Sequence, residues 1–138
     1  PEHRLIVGHS LGGLFVLHAM VSRPHLFSHY VSGSPSVWWG NGQVLREIER
    51  FVAAWDGRHS LQLLLVNGAE ELPDMIEGAG QAAERLQPLA AGGILSEWVT
   101  IAAEEHTSVL TAMLARLPRF LWSRPAPASP QVMPKKER

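Results

Sequence analysis

The 138-residue sequence contains no cysteine, which excludes disulfides, thiolate metal sites and a cysteine nucleophile while leaving the redox compartment unspecified. It also lacks an excess of either charge, since 12 Lys+Arg face 13 Asp+Glu for a formal net charge of -1. With no basic surplus to grip a phosphate backbone, nucleic acid is not an expected partner. Long hydrophobic runs are missing too: stretches such as Leu63–Val66 are short, whereas a bilayer-crossing helix needs roughly 20 apolar residues. No membrane span is expected. No targeting segment is legible, and there are no internal repeats. What is present, 46% hydrophobic and 18% charged side chains, is the composition of a single globular domain.

The apolar pattern along the chain alternates between two periods. Arg4–Val7 is a short, partly β-branched run that stops at Gly8, as a parallel strand buried on both faces does. From Leu11 to Val21 the spacing becomes three and four, which predicts a helix ended by Ser22-Arg23-Pro24. The same sequence of events recurs. A strand over His29–Ser32 precedes a helix over Val44–Trp55, and a strand over Leu61–Val66 is followed by a loop, Asn67–Asp74, and a helix over Met75–Ala91. A last strand, Leu95–Ala102, leads through Glu104-Glu105-His106 to a helix over Ser108–Trp122. Four strand–helix units in succession predict an α/β domain with a mainly parallel sheet of about four strands, because parallel neighbours need a crossover. Ligands then belong at the carboxyl ends of the strands. The domain is expected to cover residues 1–122. Residues 123–138, with four prolines, both lysines and few apolar side chains, are expected to form a disordered basic tail.

Gly8-His9-Ser10-Leu11-Gly12-Gly13 fits G-x-S-x-G between a strand and a helix, the setting in which this motif forms a nucleophile elbow. Glycines let strand and helix approach closely, and the strained turn lifts the serine hydroxyl clear of the sheet. Ser10 is therefore the candidate nucleophile, with the Leu11 N–H and the helix dipole placed to favour an oxyanion. The plainer alternative is that Ser10 only caps the helix. A hydroxyl needs a base at another strand end, and of seven histidines His106 alone directly follows a predicted strand and precedes a helix. An acid should fall between nucleophile and base in chain order. In the Gly68-Ala69-Glu70-Glu71 loop Glu71 is the first choice, with Glu70 second and Asp74 third. A Ser–His dyad without an acid also stays open. Ser34-Pro35-Ser36-Val37-Trp38-Trp39 lies at the same sheet edge as Ser10. Trp38 and Trp39 there have two readings, substrate wall or packing under the loop. The glycine turn lacks both G-x-G-x-x-G and a glycine–lysine pair, so nucleotide binding has little support.

Taken together, the elbow, the Ser34–Trp39 run and Glu104-Glu105-His106-Thr107-Ser108-Val109 resemble the C-terminal half of the putative esterase family of α/β-hydrolases, which includes esterase D-like enzymes and siderophore trilactone esterases. The resemblance spans roughly Arg4 to Trp122. It implies Ser10 as nucleophile, His106 as general base and acyl-enzyme chemistry on carboxylic esters, siderophore-type lactones among them, with Glu71 where the family often has its acid. It implies a small-molecule ester substrate and no metal or cofactor. The family's fold also has several strands before the elbow strand, together with a loop that donates the second oxyanion N–H. The segment read here is thus expected to be the later half of a domain with the N-terminal strands missing. The alternative expectation is a non-catalytic half-domain that needs an N-terminal half or partner, with an exposed sheet edge that favours self-association.

Overall fold

The computed structural model describes residues 3–122; the expected tail at 123–138 lies outside the described residues. The chain runs β1 (Leu5–His9), α1 (Leu11–Ser22), β2 (His29–Gly33), α2 (Trp39–Ala54), β3 (Leu61–Gly68), α3 (Pro73–Leu86), β4 (Ile94–Ile101) and α4 (Val109–Trp122). All neighbouring strands pair in parallel, and the sheet order is β1-β2-β3-β4. The α/β expectation therefore holds.

Boundaries moved where local chemistry outweighs periodicity. Helix α2 begins at Trp39 and turns through left-handed backbone at Gly40, Asn41 and Gly42 (φ 60°, 56° and 69°) before its regular part. Two glycines and an asparagine are the residues that tolerate this conformation. The strand expected to stop at Val66 continues to Gly68, and α3 starts at Pro73, whose fixed φ suits a first helical turn. The expected loop thus shrinks at both ends. Helix α3 stops at Leu86 rather than Ala91, and a tighter 3-10 segment covers Gln87–Gly92. Pro88 at its start has no N–H to donate back into α3.

Two apolar layers sandwich the sheet. One joins Val16, Leu17 and Met20 of α1, Val44, Ile48 and Phe51 of α2, and Ala82 and Leu86 of α3 to Tyr30, Leu63, Leu65 and Ile94 of the strands. The other packs Val109, Met113 and Phe120 of α4 against Val31, Leu64 and Val66. Because side chains alternate faces along a strand, β3 feeds both layers and is buried over nearly its whole length. Strand β1 is only half-buried. Among the described residues no helix is long and apolar enough to cross a membrane.

Candidate active site

The parallel register brings His9 beside Gly33, Gly33 beside Val66, and Gly68 beside Ile101. The chain segments leaving all four strands therefore share one edge of the sheet. Ser10 stands between β1 and α1 with φ 60° and ψ -118°, a conformation that costs a non-glycine residue about 1–3 kcal/mol and persists only when its surroundings enforce it. They do so here. The Ser10 N–H donates to the Gly33 carbonyl at 2.9 Å, and the Ser10 carbonyl accepts from the Leu14 and Ser36 N–H groups. A Cβ on Gly8 would run into the Gly12 carbonyl, so the elbow closes only with glycine there. The Ser10 side chain makes no cap hydrogen bond to its helix. Its hydroxyl instead lies 3.1 Å from Nε2 of His106 and 3.5 Å from the Ser36 hydroxyl.

His106 sits on the turn between β4 and α4. Two contacts seat that turn: Nε2 of His9 bonds to the His106 backbone carbonyl at 2.7 Å, and the Glu105 N–H donates to the Ser108 hydroxyl at 3.0 Å. The His9 and His106 rings lie 4.7 Å apart. Burial lowers the pKa of His9, and the neighbouring His106 adds to this, while the bond to the His106 carbonyl opposes it. The neutral ring can still donate from Nε2. Gly68 admits the turn, since a Cβ there would collide with the Glu104 carbonyl.

Of the three candidate acids, Glu71 stands beside the imidazole, with Oε1 4.0 Å from Nδ1 of His106. Its side chain is 0% exposed. An unpaired buried carboxylate would be costly, and this one accepts from the Gly68 N–H at 3.1 Å, from Nδ2 of Asn67 at 3.1 Å and from the Ser34 hydroxyl. Nδ1 of His106 is buried and has no hydrogen-bond partner, so Glu71 is the carboxylate within reach of its proton. Glu70 and Asp74 are exposed. Asp74 instead lines a depression of about 300 Å³ beside the serine, together with Ser10, Ser36, Trp38, Leu72, Met75 and His106. Trp38 is thus on the wall of this depression. Trp39 is not among its lining residues, although the two indoles touch with centroids 5.6 Å apart.

Sequence reasoning did not single out His9, Ser34 or Asn67 as supports. A legible signal existed for the last two, because a polar residue at the carboxyl end of an otherwise apolar parallel strand has to find a partner there.

A parallel sheet covered on both faces, with a serine elbow leaving one strand and a histidine following the last, defines an α/β-hydrolase domain matched over part of its length. The chain belongs to the family described as "Putative esterase", which matches residues 1–99. It is 35% identical over 123 residues to the ferri-bacillibactin esterase BesA of Bacillus subtilis, a match covering 86% of this chain and 43% of that protein. It superposes on the BES protein of Bacillus cereus with a TM-score of 0.78 at 30% identity, covering 85% of this chain and 44% of that one. An IroE-like serine hydrolase from Shewanella oneidensis gives a TM-score of 0.71 at 26% identity, covering 83% and 38%. The chain therefore spans less than half the length of these relatives.

Proposed function

We propose that this chain carries the serine, base and acid of a carboxylic-ester hydrolase acting through an acyl-enzyme. The observation that carries the reading is the 3.1 Å approach of His106 Nε2 to the Ser10 hydroxyl on a strained elbow. In this mechanism Nε2 takes the Ser10 proton as Oγ attacks the ester carbonyl. The Leu11 N–H, at the start of α1 where amides lack intrahelical partners, stabilises the oxyanion. Collapse of the tetrahedral intermediate breaks the ester C–O bond, and the alcohol leaves with the proton held by His106. Water then attacks the acyl group, gives its proton to Nε2, and releases the acid as the proton returns to Ser10. Glu71 balances the imidazolium in each half-reaction. Trp38 supplies an apolar wall for the substrate, and the likeness to a ferri-bacillibactin esterase favours a siderophore-type lactone as the ester. No step calls for a metal or cofactor.

The test is mass analysis of products after incubating the chain with a trilactone siderophore and, separately, with a small acyl ester. The expected result is the addition of one water per ester opened, abolished in Ser10→Ala. A folded chain that leaves both esters intact would contradict the reading.

A second reading rests on a different observation. Among the described residues β1 pairs on one side only, and α1 beside it exposes Leu11 at 53% and Phe15 at 60%. An open strand edge next to apolar side chains invites another segment or chain, as expected of a half-domain that needs its N-terminal half or a second copy. Light scattering behind size-exclusion chromatography separates the cases. Self-association that Leu11→Glu/Phe15→Glu reverses supports this reading, and a monomer at high concentration argues against it.

A further inference from the structure

We propose that Asn67 and Trp98 are positioning residues for the acid, linked as a relay that reaches Glu71 from the outer strand of the sheet. The inference rests on the hydrolase reading above and deepens it. Asn67 is fully buried near the end of β3, and its Nδ2 donates to Oε2 of Glu71 at 3.1 Å. An amide can turn over with little change in shape. If this one did, Oδ1 would face the carboxylate and repel it. Trp98 prevents the inversion: its indole Nε1–H, which can only donate, points at Oδ1 of Asn67 from 3.2 Å. With Oδ1 occupied, Nδ2 has to face Glu71.

The indole is itself held in place. Trp98 pairs with Leu65 across the β3–β4 ladder, two positions before Asn67, and its ring lies over Gly80 of α3. A Cβ on Gly80 would stand 2.8 Å from Cη2 and 3.1 Å from Cζ3 of the ring, so the helix surface is shaped to accept it. Trp98 is not among the residues lining the depression at Ser10, and it is 41% exposed. Replacement by phenylalanine therefore removes the donor and the outer ring atoms over Gly80, and leaves both apolar layers filled. Through Asn67 the indole fixes Oε2, while the Ser34 hydroxyl and the Gly68 N–H fix Oε1. The carboxylate is left with Oε1 toward the unpartnered Nδ1 of His106. That orientation matters when His106 takes up the serine proton and Nδ1–H must find an acceptor.

The test uses two readouts on Trp98→Phe, Asn67→Ala and Glu71→Gln. The first is the rate of Ser10 modification by a fluorophosphonate as a function of pH. Trp98→Phe should slow it by about fivefold, the worth of one neutral hydrogen bond, and move the acid limb of the profile to lower pH, because a misaligned carboxylate supports the imidazolium less well. In the Glu71→Gln background the same substitution should have no further effect. The second is the indole N–H resonance of Trp98, identified by its loss in Trp98→Phe. It should shift in both Asn67→Ala and Glu71→Gln, and stay in place in Ser10→Ala. An equal rate loss with and without Glu71 would show a merely structural role and overturn the relay. So would an unchanged rate and profile in Trp98→Phe. If Ser10 proves unreactive in the folded parent, the hydrolase reading fails, and the resonance decides the relay alone: a shift in Glu71→Gln retains it, and an unmoved resonance overturns it.

Discussion

Strands β1 and β3 hold opposite ends of the same site under opposite conditions. Strand β3 has a neighbour on each side, feeds both apolar layers, and ends in Asn67 and Gly68, which grip the Glu71 carboxylate. Among the described residues strand β1 has one neighbour; it is half-buried throughout and leads from His9 into Ser10. The acid is thus anchored by groups from β3 and the β2 exit. The serine depends on backbone closure of the elbow, on the Gly33 and Ser36 contacts, and on a histidine delivered from the far side of the sheet. Burial supplies rigidity to one end, and glycine stereochemistry supplies it to the other.

Four experiments test this contrast, beginning with the largest effect. Leu65→Ala empties a fully buried position in β3 and should destabilise the fold by about 2–5 kcal/mol. Val7→Ala on half-buried β1 should cost about 1 kcal/mol, and chemical denaturation of both variants measures the difference. Equal losses would mean that β1 is as well supported as the centre of the sheet. Gly68→Ala pushes a Cβ into the Glu104 carbonyl, where backbone has to move. It should cost about 1–3 kcal/mol and, by shifting the His106 turn, suppress Ser10 modification far more than thermal stability.

Glu71→Gln keeps the shape of the acid and removes its charge. A fall in Ser10 modification of about tenfold to a hundredfold is expected, less than for an acid in direct contact with its histidine, because Oε1 stands 4.0 Å from Nδ1. An unchanged rate would reduce the site to a Ser–His dyad. The smallest effect is on pH dependence. Burial lowers the pKa of His9 and of His29, with His3 adding to the effect at His29. The unfolded chain binds protons on these rings near pH 6.5, the folded chain only at lower pH. Stability is therefore complete above about pH 6.5 and declines as the pH falls through the window beneath it. Melting temperatures from pH 7.5 to 5 should drop less steeply in His29→Gln, and a parallel curve would contradict this assignment.

Much of the fold was legible because its causes are local. The run Leu5–Val7, the glycines of the elbow and the three-and-four spacing of α1 each announce a neighbouring structure. The carboxylate loop was legible only in part: chain order called for an acid there and put Glu71 ahead of Glu70 and Asp74, and the fold puts Glu71 nearest the imidazole. Its supports were not readable. Ser34 and Glu71 are 37 residues apart, and Trp98 and Asn67 are 31 apart. Such pairs meet through sheet register, which no local pattern encodes. Trp38 and Trp39 show the same limit, since adjacent identical residues are separated by the start of α2 and only one reaches the depression.

The central claim is that this chain brings Ser10 and His106 together as a reactive pair. Mass spectrometry after fluorophosphonate treatment tests it most directly, with Ser10→Ala and His106→Ala as controls. One adduct is expected, on Ser10, absent from Ser10→Ala and strongly slowed in His106→Ala. A chain shown by circular dichroism to be folded, and yet unmodified at Ser10, would contradict it.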